Sequence, residues 1–108
     1  MKKLIAAGAV TALAAGAFAI PAFAASKTVQ VKDNVFAANS LTVSKNTTVK
    51  WVWKGKAPHN VTVTKGPAKF KSTTQVKGSY SKKLTKAGTY TILCTIHAPG
   101  MKMTIHVK

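Results

Sequence analysis

The segment GTYTILCTIHAPGMKMTIHVK, residues 88–108, contains two runs of strand-forming residues separated by a short loop. The first run, Thr89 to Leu93, follows a turn at Lys86–Gly88 and is rich in β-branched and aromatic residues, which favour strands. In the last run every second side chain is apolar, namely Met103, Ile105 and Val107. A period of two is typical of a strand with one buried face. The segment therefore predicts a strand, a loop over residues 94–101 and a final strand.

The sequence before this segment shows the same strand pattern and no helical periodicity. Further strands are predicted at Thr28–Lys32, Leu41–Val43, Thr47–Lys54, Asn60–Thr64 and Tyr80–Leu84. Turn residues separate these runs, and no linker divides them. About seven short strands of this kind are typical of a two-sheet Greek-key sandwich. The fold class is therefore predicted to be an all-β Greek-key β-sandwich of seven to eight strands.

Residues 1–24 have the composition of a secretory signal peptide. Two lysines follow Met1, residues 4–20 carry no charge, and Ala22-Phe23-Ala24 matches a small-x-small cleavage motif. The uncharged run is shorter than the roughly 20 apolar residues of a transmembrane helix, which leaves a retained anchor as the alternative. We expect cleavage near Ala24, one domain over residues 25–108, and a location in the periplasm or cell envelope.

The charge of the chain is strongly positive, with 17 lysines, no arginine and a single acid, Asp33. Without Lys2 and Lys3 the predicted mature chain keeps 15 lysines and a net charge of +14. Such a surface attracts anionic partners over a Debye length. Acidic proteins, an anionic membrane, a cell-wall polyanion and nucleic acid all fit this charge. The absence of arginine argues against nucleic acid, because arginine is favoured for reading bases.

The loop of residues 94–101 holds three residue types that bind soft metal ions. Cys94, His97 and Met101 supply a thiolate, an imidazole and a thioether, and His59 precedes another predicted strand. One cysteine cannot form an internal disulfide, so a metal would explain the thiol and would also stabilise a short domain. Two imidazoles, a thiolate and a weak thioether form the blue-copper set. The pattern predicts one type 1 copper ion at these four residues, with Met103 as the alternative axial ligand.

The mature chain resembles a cupredoxin of the plastocyanin, amicyanin and pseudoazurin group. The resemblance is carried by Val35-Phe36, Leu41-Thr-Val43, Val49-Lys-Trp51, Pro58-His59-Asn60-Val61, Gly88-Thr-Tyr90 and Cys94-Thr-Ile-His97. It implies an eight-stranded sandwich with copper at one end. It also implies that Asn60 ties the His59 loop to the Cys94 loop through Thr95, and that a backbone N–H near Asn60 donates to the Cys94 sulfur.

Two features depart from the family pattern. Three residues separate His97 from Met101, whereas plastocyanin-like loops usually have four and amicyanin-like loops two. Trp53 stands where many relatives have an asparagine that braces the first histidine loop. The copper ligands are kept, but the loop shape and the support of the His59 loop do not carry over from the family.

Electron transfer without substrate turnover is the predicted function, so we expect no enzyme. An oxidase would need further histidine clusters, and the chain has three histidines in all. A hydrolase would need a partner for the Cys-His pair, which no recognisable motif supplies. Copper storage or delivery and a polycationic envelope-binding module remain as alternatives. The expected partner is an acidic redox protein, with an anionic membrane or cell-wall surface as a second, and we expect a monomer.

Overall fold

The structure is a computed structural model that describes residues 25–108, and the predicted signal peptide lies outside the described residues. The described chain forms eight β-strands, which confirms the all-β prediction. They are β1 Ser26–Lys32, β2 Val35–Ala37, β3 Ser40–Val43, β4 Thr47–Trp53, β5 Thr62–Lys65, β6 Ser79–Leu84, β7 Gly88–Leu93 and β8 Lys102–Val107. Within this part of the chain, no helix has the length and apolarity to cross a membrane.

The strands form two four-stranded sheets, in the orders β2-β1-β4-β6 and β3-β8-β7-β5. The pairs β1–β4 and β3–β8 are parallel, and the remaining pairs are antiparallel. Several connections pass from one sheet to the other, as in a Greek-key sandwich. Strand β2 is the one that the alternation did not reveal, because three residues are too few to show a period of two.

The core lies between the sheets and is filled by the alternate residues of each strand. In β4 the side chains of Val49, Trp51 and Trp53 are buried, and in β8 those of Met103, Ile105 and Val107 are buried. These are the faces that the sequence pattern assigns to the interior. Val52, which breaks the pattern, is half-buried on the other face. Burying large aromatic and branched side chains is the main stabilising contribution to a domain of this size.

The strand pairings bring three loops to one end of the sandwich. In the parallel pair β1–β4, Val31 lies opposite Trp53, so the segments that follow both strands run side by side. The first is a two-residue turn at Asp33–Asn34, and Asn34 has φ 67°, a conformation that asparagine tolerates. In the antiparallel pair β5–β7, Thr62 lies opposite Leu93. That pairing places the loop before β5 beside the loop of residues 94–101.

Candidate metal centre

Three donor atoms converge at this end of the sandwich. The Nδ1 atoms of His59 and His97 are 3.2 Å apart, and the Cys94 Sγ lies 3.8 Å from the first and 3.5 Å from the second. His59 and Cys94 are fully buried, whereas His97 is half-buried. The structure thus brings together three of the four predicted ligands, although His59 is 35 residues from Cys94 in the sequence.

The size of this triangle fits a metal ion bound at its centre. Nitrogen and sulfur ligands lie about 2.0–2.3 Å from a transition metal, so three donors around one ion would be about 3.5–3.7 Å from each other. The observed sides of 3.2, 3.5 and 3.8 Å bracket that value. Two imidazoles and one thiolate are also the donor set that copper electron-transfer sites use. The residues present therefore fit copper in both spacing and chemistry.

The loop of residues 94–101 is closed by its own backbone. The Cys94 N–H donates to the Met101 carbonyl at 3.0 Å, and the N–H groups of His97 and Met101 donate to the Cys94 and His97 carbonyls. Strand β7 ends at Leu93 and β8 begins at Lys102, so this closure lies directly on a rigid hairpin. The hairpin therefore fixes the positions of all three candidate ligands in the loop.

The two methionines have different surroundings. Met103 is 1% exposed, and its Sδ accepts a hydrogen bond of 3.4 Å from the Trp51 indole N–H inside the core. Met101 is equally buried but lies in the loop between His97 and β8, where its backbone contacts both Cys94 and His97. The thioether of Met103 thus has a partner in the sandwich core. Met101 is the methionine that belongs to the loop of the candidate ligands.

Comparison with known proteins assigns a family to this arrangement. The copper-binding proteins of the plastocyanin/azurin family match residues 24–108. The chain belongs to this family. No curated protein sequence matches it significantly.

Solved structures similar to this cupredoxin include several amicyanin variants. An oxidized variant is 30% identical, with a TM-score of 0.67 over 75% of this chain and 80% of that chain. A reduced variant is 32% identical with the same TM-score and coverage. A variant in its Cu(I) form is 33% identical, with a TM-score of 0.68 over 81% of this chain and 85% of that chain. With the His-Cys-His cluster, these findings show an electron-transfer protein with one type 1 copper.

Hydrogen bonds join the two loops of the cupredoxin that carry the candidate ligands. The Asn60 amide donates to the Thr95 hydroxyl at 2.8 Å, and the Thr95 N–H donates to the Asn60 carbonyl oxygen at 3.1 Å. This confirms the link that the family resemblance implies. The implied backbone donor to the Cys94 sulfur is absent from the hydrogen bonds of residues 25–108, where the sulfur contacts the two imidazoles.

The His59 loop is held by contacts that replace the missing asparagine. The Trp53 indole N–H donates to the His59 carbonyl at 3.0 Å, and the backbones of His59 and Gln75 exchange two hydrogen bonds of 3.0 Å. Because Trp53 is buried at the end of β4, it connects the loop directly to the sandwich core. Trp53 and Gln75 therefore hold the His59 loop here, where an asparagine does so in many relatives.

Asp33 is a residue of the site that no sequence motif indicates. Its Oδ1 lies 2.9 Å from His59 Nε2, and the carboxylate also accepts the backbone N–H groups of Lys56 and Ala57. These hydrogen bonds, that of His59 first and those of Ala57 and Lys56 next, lower the pKa of Asp33 from 3.8 to about 2. The available signal was the presence of a single acid, in a turn, among so many lysines.

The third histidine lies away from the centre. His106 is exposed on the outer face of β8, and its Nδ1 lies 3.1 Å from the Thr89 hydroxyl. This agrees with the strand alternation, which places His106 on the lysine-bearing face. The described residues therefore contain one His-Cys-His cluster, at residues 59, 94 and 97.

Proposed function

We propose that the type 1 copper is held by His59, Cys94, His97 and Met101 and that the electron passes through His97. The observation that carries this proposal is the convergence of two Nδ1 atoms and one Sγ, 3.2–3.8 Å from one another, at one end of the sandwich. Copper supplies a one-electron couple at such a site. The chain supplies a thiolate that stabilises Cu(I), two imidazoles that suit both oxidation states and a weak thioether.

The surroundings of the ligands support fast electron transfer. Asn60, Thr95 and Trp53 fix the two ligand loops by hydrogen bonds, and the Cys94 to Met101 backbone contact closes the second loop. Ligands that cannot move keep one geometry in both oxidation states. A small change of geometry means a small reorganisation energy, and so a low barrier to the transfer.

The proposed exit for the electron is the imidazole edge of His97. His59, Cys94 and Met101 are buried, so His97 is the ligand that reaches solvent. The residues that flank His59 and His97 in the sequence include four that are uncharged and exposed, namely Pro58, Ile96, Ala98 and Pro99, with Ile96 51% exposed. An apolar rim lets a redox partner approach the imidazole without desolvating charge. The shortest path out of the copper site would then run through this contact.

The proposed partner is an acidic redox protein that meets the domain outside the cytoplasm. The predicted mature chain carries 15 lysines against Asp33, so it attracts anionic proteins at a distance. The composition of residues 1–24 supports a cleaved signal peptide and a location in the periplasm or cell envelope. Residues 25–108 would then form a single domain, which we expect to be a monomer. An anionic membrane or cell-wall polymer is the second partner that this charge suits.

The deciding experiment is an absorption spectrum of the mature protein with Cu(II), followed by voltammetry. We expect an intense blue band and one reversible one-electron wave. A colourless complex, or a copper ion that leaves on reduction, would contradict the proposal. Rapid transfer of Cu(I) to an acceptor protein would instead favour copper delivery, and binding to anionic polymers without any redox wave would favour an envelope-binding module.

A further inference from the structure

The one acid of this chain, Asp33, lies at the candidate copper site and forms no ion pair with a lysine of residues 25–108. The sequence contains 17 lysines and one acidic side chain, Asp33. Within residues 25–108 the charged partner of the Asp33 carboxylate is His59 Nε2, at 2.9 Å, and no lysine ammonium. A solvent-exposed ion pair between the Asp33 carboxylate and one of the many lysine ammonium groups would contribute little to stability. Surface ion pairing therefore does not explain why the Asp33 carboxylate contacts a buried imidazole.

The backbone is shaped to hold this carboxylate in place. The N–H groups of Lys56 and Ala57 donate to it at 3.0–3.1 Å, and the turn at Asp33–Asn34 presents it to them. Gly55 leaves the necessary room, since a Cβ there would lie 2.8 Å from the Asp33 nitrogen and closer still to the carboxylate oxygen. The carboxylate is thus fixed independently of the imidazole that it contacts.

The contact determines which nitrogen of His59 would be free to bind copper. An ionised carboxylate only accepts hydrogen bonds, so the Nε2 atom must carry the proton. The lone pair is then on Nδ1, the atom that lies 3.8 Å from the Cys94 sulfur and 3.2 Å from His97 Nδ1. The other nitrogen of a metal-binding histidine commonly donates to such an acceptor, which orients the ring and raises its basicity.

We propose that Asp33 is a positioning residue of the copper site, whose carboxylate holds His59 in the Nδ1-binding tautomer and lowers the reduction potential. The inference rests on the proposed role of His59 as a ligand. A more basic imidazole donates more charge and so favours Cu(II) over Cu(I). Removing an outer-shell partner of a ligand typically lowers metal affinity about 10- to 100-fold. A tenfold loss confined to Cu(II) raises the potential of a one-electron couple by about 59 mV.

Two variants of Asp33 and one matched control test this role. Asp33→Asn removes the charge and keeps an oxygen acceptor, whereas Asp33→Ala removes both. Val35→Lys makes the same change of net charge on the same hairpin, at a side chain that is 45% exposed. We expect both Asp33 variants to keep the blue band, to bind Cu(II) about 10- to 100-fold more weakly and to have a higher potential. Val35→Lys should change the Cu(II) affinity by no more than twofold and should leave the reduction potential almost unchanged.

Nuclear magnetic resonance of the Cu(I) protein supplies a readout that a purely structural role would not move. The Nε2–H of His59 should exchange slowly with water in the wild type, because it is bonded to Asp33, and rapidly in Asp33→Ala. Gly55→Ala should speed the exchange in the same way, because its Cβ displaces the carboxylate without altering any charge.

The outcomes separate this inference from the proposed function. A wild-type protein without a blue band contradicts the copper site itself. Blue variants with an unchanged potential and unchanged Cu(II) affinity overturn the role of Asp33 and leave the copper site intact. A shift in Val35→Lys as large as that in Asp33→Asn also overturns it, since long-range charge would then explain the effect.

Discussion

Asn60 and Thr95 exchange two hydrogen bonds across the copper-binding end of the fold. The Asn60 amide donates to the Thr95 hydroxyl, and its carbonyl oxygen accepts the Thr95 N–H and the Thr62 hydroxyl. Asn60 is 5% exposed, so these bonds are protected from water. One side chain thereby joins the loop of His59 to the loop that carries the other candidate ligands.

Replacing Asn60 with alanine should therefore destabilise the fold. The Thr95 N–H and the Thr62 hydroxyl would lose the buried oxygen that accepts them, and we expect the free energy of unfolding to fall by about 1–3 kcal/mol. Urea unfolding of the copper-free protein measures this change. Thr64→Ala is the matched control, since it removes one long and exposed hydrogen bond of 3.4 Å and should cost little. Equal losses of unfolding free energy in the two variants would show that the hydrogen bonds between the loops contribute no more than one exposed hydrogen bond.

Cys94→Ser should abolish the blue colour. A serine hydroxyl is neither soft nor ionised at neutral pH, so it cannot supply the copper–thiolate bond that produces the band. Visible absorption after addition of Cu(II) measures the effect. His106→Gln serves as the control and should stay blue, because His106 lies on the exposed face of β8. A blue Cys94→Ser protein would rule out Cys94 as a ligand.

Met101→Leu should keep the colour and raise the reduction potential. The axial bond is weak, so the blue site survives its loss, and removing a donor favours Cu(I). Met103→Leu should leave the potential unchanged and cost about 1–3 kcal/mol of stability, because it conserves volume in the core but leaves the buried Trp51 N–H without its acceptor. Voltammetry of the two variants gives the answer. A potential that moves in Met103→Leu alone would transfer the axial role to Met103.

Copper should stabilise the folded domain. The donors of His59, Cys94 and His97 come together only in the fold, so the ion binds the native state preferentially. Free copper at a thousandfold excess over its Kd adds about 4 kcal/mol. That gain corresponds to roughly 15–30 °C in Tm for a domain of this size. Calorimetry of the copper-free and copper forms tests this, and the same Tm for both would mean that the unfolded chain binds copper equally well.

The surface lysines should determine how often an acidic redox partner meets the apolar rim around His97. Attraction to an acidic redox protein raises the encounter rate roughly 10- to 1000-fold at low salt, so the bimolecular rate should fall steeply as salt is added. A neutral small-molecule oxidant is the control and should show little change. Stopped-flow rates that stay flat with an acidic cytochrome would leave the lysines a role in solubility or retention.

Ala98→Asp tests the rim separately from the lysines. Ala98 is exposed next to His97, and a carboxylate there would have to be desolvated when a partner covers the imidazole. Electron transfer should therefore be slower at every salt concentration, while the salt dependence is retained. A rate that matches the wild type would place the electron exit elsewhere on the surface.

The strands and the ligand loop could be predicted because their signals are local. Alternation within β4 and β8 shows which side chains face the core, and the spacing of Cys94, His97 and Met101 lies within one loop. Alternation also predicts that Met103 is buried in the core. It does not predict the hydrogen bond of Met103 with Trp51, which is 52 residues away in the sequence. Such a bond depends on how the two sheets face each other.

The sequence alone determined the all-β pattern, the candidate copper donors and the positive charge of the surface. The tertiary structure decided which groups surround those donors. Val31 pairs with Trp53 in a parallel register, and only that pairing sets the Asp33 turn beside Gly55 and within 2.9 Å of His59 Nε2. Asp33 and His59 are 26 residues apart, and a local pattern carries no information about contacts at that separation. The physical reason is that strand register, fixed by burial of whole sheet faces, determines which turns meet.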